Sequence, residues 1–123
     1  MKKTLIATTL ALVLGISGAI AQQKTGPNGG LLAGKAGHET ELVVSATELT
    51  VFLIDGGKAH STKGASLRAV VQEAGKSTTI PMENVENKKL VGKLAAPIGK
   101  GAIVVLTGKD DHGDAISVRY TIN

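Results

Sequence analysis

Three histidines are the side chains of this sequence best suited to binding chemistry. His38 opens the run His38-Glu39-Thr40-Glu41. His60 follows the turn Asp55-Gly56-Gly57-Lys58, and His112 sits within Lys109-Asp110-Asp111-His112-Gly113-Asp114. Imidazole and carboxylate together suit borderline divalent ions: zinc, nickel, cobalt or copper(II). Copper(I) prefers thiolate or thioether, and apart from the initiator the sequence offers only Met82 and no cysteine. The candidate ligands are therefore His38, Glu39, Glu41, His60 and His112, with His38 leading. Each also has a plainer reading, as a strand-end polar residue (His38) or an exposed loop residue (His60). The Asp110 to Asp114 stretch reads first of all as a hairpin turn, because Asp and Gly are what tight turns use. It has neither the spacing nor the closing glutamate of an EF-hand.

Catalysis finds little support. Cysteine is absent, no Gly-x-Ser-x-Gly elbow occurs, and a His-Glu-x-x-His helix has no place in a chain that reads as strands. Gly29 to Ala36 nearly spells a phosphate-binding loop, with Gly29, Gly34 and Lys35 correctly spaced. That motif needs Ser or Thr after the lysine, a strand before it and a helix after it. Ala36 and the flanking residues fail both requirements. The reading is a non-catalytic protein.

The elements that must position the histidines are strands. Within Gly37 to Ala65, two strands joined by Ser45-Ala46-Thr47 and closed by the turn Asp55-Gly56-Gly57-Lys58 read as a hairpin, with Leu49, Val51 and Leu53 on one face of the second. Leu67, Ala69 and Val71 alternate in the same way within Ala65 to Glu73. Ser77 to Met82, Leu90 to Leu94 and Ala102 to Thr107 are shorter strands, and Glu83 to Lys89 reads as a solvated turn. Ala115 to Ile122 closes the chain with Ile116, Val118, Tyr120 and Ile122 on one side. No sustained helical period occurs from Gln22 onward. Seven to eight strands at short spacing predict an all-β, immunoglobulin-like antiparallel β-sandwich, with a small β-barrel as the alternative.

Lys2 and Lys3, the apolar run Leu5 to Ile16 and the small residues of Ala19-Ile20-Ala21 make a secretory signal peptide over 1–21, cleaved after Ala21. The apolar run is shorter than the roughly 20 residues a spanning helix needs, so no stable membrane insertion is expected after cleavage. Residues 22–36 read as a flexible N-terminal arm, and 37–123 as the sandwich domain. Two of the fourteen basic residues leave with the signal peptide, so the net charge falls from +4 to +2. With only Arg68 and Arg119 as arginines and no basic cluster, nucleic acid is not an expected partner. An exported chain without cysteine must be held by packing alone.

Several short motifs follow one another in a familiar order: Gly29-Gly30-Leu31-Leu32, Gly37-His38-Glu39-Thr40-Glu41-Leu42-Val43, Val51-Phe52-Leu53-Ile54-Asp55, Lys63-Gly64-Ala65 and Arg119-Tyr120-Thr121-Ile122. Together they resemble the small periplasmic β-sandwich domain associated with bacterial heavy-metal efflux adaptors of the cobalt-zinc-cadmium type. Asn28 stands where that family often has a histidine, while His38 is kept. The resemblance implies a periplasmic protein linked to divalent heavy-metal binding, relay or efflux, with the periplasmic adaptor subunit of a metal efflux pump as its partner. The competing expectation is a periplasmic protein-protein interaction module with no metal site, in which an edge strand or the 22–35 arm pairs with a partner sheet.

Overall fold

A computed structural model describes residues 23–123, and the expected signal peptide lies outside the described residues. The described residues form eleven strands, all paired antiparallel, in two sheets. The first sheet holds β1 (Lys24–Thr25), β2 (Leu31–Lys35), β3 (His38–Val44), β4 (Glu48–Asp55), β5 (Lys58–His60), β8 (Glu83–Val85) and β9 (Lys89–Lys93). Its order is β1-β2-β3-β4-β9-β8, with β5 pairing the far end of β4. The second sheet holds β6 (Ser66–Glu73), β7 (Lys76–Pro81), β10 (Ile103–Lys109) and β11 (Ala115–Thr121), in the order β11-β10-β6-β7. The sheets remain separate layers, so the architecture is the expected β-sandwich and not the barrel. No helix among the described residues is long and apolar enough to cross a membrane.

Alternation along the strands builds the core. Leu42, Leu49, Val51 and Leu53 from the first sheet meet Leu67, Ala69, Val71, Val104, Leu106, Ile116 and Tyr120 from the second. Burying one such aliphatic side chain contributes about 1.5–3 kcal/mol, and with no disulfide this layer carries the stability. Tyr120 adds a polar tie across it. Its hydroxyl donates to the Thr40 carbonyl at 2.7 Å and accepts from the Thr40 hydroxyl. Burial pushes the Tyr120 phenol well above its ordinary range, the Thr40 bond opposes this and nearby Glu41 adds to it. The phenol therefore stays a donor, pinning β11 to β3 two residues from His38.

The eleven strands of the described residues exceed the seven to eight expected from the sequence. β1, β5 and β8 are two or three residues long, too short to carry a period, and β2 lies in the glycine-rich segment. Two of these strands, β1 and β2, fall within the segment 22–36 expected as a flexible arm. Leu31 to Lys35 pair with Leu42 to His38, and Lys24 and Thr25 pair with Leu32 and Leu31. The segment belongs to the sheet because β3 presents an open edge and Leu31 and Ala33 pack against the core.

Two hairpins show how turn chemistry sets register. Asp55 pairs with Lys58 across Gly56 and Gly57, whose φ values of 59° and 79° are the left-handed pair a two-residue hairpin needs. The β6–β7 hairpin uses Ala74 at φ 50° beside Gly75 in the same role. An alanine there carries a left-handed penalty of roughly 1–2 kcal/mol, which asparagine partly escapes. Ala74→Asn is expected to stabilise the protein by about 0.5–1 kcal/mol. Urea titration checks this as a higher midpoint with an unchanged slope.

Candidate metal centre

Strand parity decides which sequence candidates can meet. In β3, His38, Thr40 and Leu42 share one face, and Thr40 and Leu42 are buried against the second sheet. In β5, His60 pairs in register with Leu53, which itself pairs with Thr40, so His60 lies on that same inner face. At this end of the sandwich the β10–β11 hairpin reaches over from the second sheet with the loop Asp110 to Asp114. The three imidazoles converge there. His38 Nδ1 lies 3.3 Å from Asp110 Oδ2, His60 Nε2 lies 3.1 Å from Asp111 Oδ1, and His112 Nδ1 lies 3.4 Å from the same Asp111 oxygen. The His38 and His112 rings meet edge to face with centroids 6.5 Å apart.

The loop is rigid where it matters. Asp110 Oδ1 accepts the backbone N–H groups of His112 at 2.9 Å and Asp114 at 2.8 Å. The Asp110 amide in turn donates to the Asp114 carbonyl at 2.9 Å. Burial alone would raise the Asp110 carboxyl, but those two amides, the His38 hydrogen bond and the charge field of His112 hold it below its ordinary value. It is a fixed carboxylate with one oxygen, Oδ2, left for a ligand. His60 holds its neighbour in a different way. Nε2 faces Asp111, while Nδ1 is buried and finds no hydrogen-bond partner among the described residues. A carboxylate can only accept, so Nε2 carries the hydrogen that meets Asp111 and orients it.

Among the described residues, two groups of side chains have ligand atoms all within 4.8 Å of one another: His38, Asp110 and Asp114, and Asp110, Asp111 and His112. A tetrahedral ion with zinc-like bonds of about 2.0–2.1 Å spaces its ligand atoms roughly 3.3 Å apart. The His38–Asp110 and His112–Asp111 separations of 3.3 and 3.4 Å already have that spacing. They are long for charge-assisted hydrogen bonds, which run about 2.7–2.9 Å. A cleft of about 280 Å³ between Lys35, His38, Asp110, Asp114 and the start of β11 gives access from solvent.

The structure corrects part of the candidate ligand set. His38 and His112 belong to the two groups, and His60 supports them from behind. Glu39 and Glu41 do not, because alternation turns them to the opposite face of β3 from His38. Glu41 is wholly buried and already occupied. Its carboxylate accepts the backbone N–H groups of Asn28 and Gly30, each at 2.8 Å, and the Asn28 side-chain amide at 3.0 Å. Gly26 closes over it, and a side chain at that position would collide with the Glu41 carboxyl carbon. Asp110, Asp111 and Asp114, read from sequence as turn formers, are the candidate ligands that sequence reasoning missed. Their only sequence signal was the density of aspartate beside His112.

No protein-family model, curated protein or solved structure matches this chain.

Proposed function

We propose that this is a non-catalytic, exported protein that binds a labile divalent transition-metal ion through imidazole and carboxylate. The observation that carries the reading is the convergence of all three histidines on Asp110 and Asp111 at one end of the sandwich. Side chains from two separate strands and a loop would not gather this way to satisfy turn geometry alone. Nitrogen and oxygen donors without sulfur favour zinc, nickel, cobalt or copper(II) over copper(I). The donors sit at the surface, with His38 and His112 side chains 54% and 67% exposed, which suits an ion that is exchanged and not entombed. The resemblance to heavy-metal efflux domains supports a periplasmic setting for this exchange, with the adaptor subunit of a metal efflux pump as the proposed recipient.

Calorimetry of the chain from Gln22 onward with zinc, nickel, cobalt and copper(II) tests the proposal. One saturable heat at pH 7 is expected. Affinity should fall on acidification, because protons and metal compete for the same nitrogen. Absence of saturable heat with every one of these ions would leave the interaction-module reading standing instead.

A further inference from the structure

The two ligand groups overlap in one residue, and that overlap constrains how an ion is held. Asp110 belongs to both groups, yet its Oδ1 is saturated by the amides of His112 and Asp114. Only Oδ2 remains to coordinate. Two divalent ions would have to share that single oxygen while repelling each other across a few ångströms, so the groups compete.

We infer that the centre holds one divalent ion in either of two adjoining positions that pivot on Asp110 Oδ2. The first position is completed by His38 and Asp114 on the cleft side. The second is completed by Asp111 and His112 on the side that His60 supports. This rests on the proposed metal-binding function and deepens it by assigning the path of the ion within the site. The His38 and His112 rings stand edge to face with centroids 6.5 Å apart, so both imidazoles border Asp110. The ion can exchange one imidazole for the other without leaving Asp110, so it moves from cleft to loop tip by replacing ligands stepwise. No bond other than coordination changes, and each displaced imidazole or carboxylate returns to its hydrogen bond.

Cobalt(II) absorption, native mass spectrometry and calorimetry on the mature chain test the inference. The unmodified protein should take one cobalt per chain. His38→Ala and His112→Ala, both exposed positions, should each still take one cobalt, with visible spectra that differ from one another. Each affinity should fall only about two- to tenfold, reflecting the share of ion held at the surviving position. The double variant should lose binding. Two ions per chain would overturn the inference. So would a His112→Ala protein identical to the unmodified one paired with a His38→Ala protein that binds nothing, since that describes a single fixed site. Both of these outcomes leave the proposed function intact, whereas no cobalt uptake by the unmodified protein overturns both. Circular dichroism of each variant separates lost ligation from lost fold.

Discussion

Glu41→Ala is expected to lower the stability of the sandwich by about 3 kcal/mol, and with it the melting temperature by roughly 15 °C for a domain of this size. The carboxylate is fully buried on the outer face of β3, beneath the loop Gly26-Pro27-Asn28-Gly29-Gly30. Hydrogen bonds to a charged acceptor contribute about 1.5–3 kcal/mol each. The Gly30 amide is buried and would be left without a partner, while the exposed Asn28 amides could turn to water, which limits the loss. Alanine would also leave space where the loop now packs against the side chain. Glu41→Gln keeps one carbonyl acceptor and should fall between the two. Thermal denaturation followed by circular dichroism measures this. Metal affinity should be unchanged in both variants, because Glu41 faces away from the histidines. A loss of metal binding with the fold intact would contradict that placement.

Asp110→Asn should remove metal binding while leaving the loop in place. Asparagine keeps a carbonyl oxygen to accept the His112 and Asp114 amides, so the hairpin tip stays locked. The other oxygen becomes an amide nitrogen, which cannot ligate, and it is shared by both ligand groups. The loss should exceed the 10–100-fold that outer-shell partners carry, so more than about a hundredfold in cobalt or zinc affinity is expected. Asp110→Ala removes the acceptor as well and should also destabilise the protein by about 2 kcal/mol. Acid titration gives an independent readout. A carboxyl whose folded pKa is depressed contributes stability above its unfolded value, about 3.9, and that contribution is lost as pH falls through the lower folded value. The unmodified protein should therefore show a component of acid destabilisation below about pH 4 that Asp110→Asn lacks. Equal acid profiles for the two proteins would show that the loop does not hold Asp110 as described.

These two carboxylates show why local sequence misleads about a site. Glu41 stands three residues from His38 and is structural, whereas Asp110 stands 72 residues away and touches it. In a strand, side-chain direction alternates, so parity matters more than nearness. His38 shares its parity with Thr40 and Leu42, and reading that alternation one step further would have set Glu39 and Glu41 aside.

The amino-acid sequence by itself determined the layers. Leu49, Val51 and Leu53, then Leu67, Ala69 and Val71, then Ile116, Val118 and Tyr120 announce their inward faces because each strand is long enough for its period to show. The same logic could not reveal β1, β5 and β8, whose two or three residues are ordered by the neighbours they bond and not by any preference of their own. The site was decided at the tertiary level. Pairing of His60 with Leu53 and of Leu53 with Thr40 sets two imidazoles on one face, and the β10–β11 hairpin folds across from the other sheet to supply the third. Register between strands distant in the chain is a property of packing and of long-range hydrogen bonds, so no local pattern of residues could carry it.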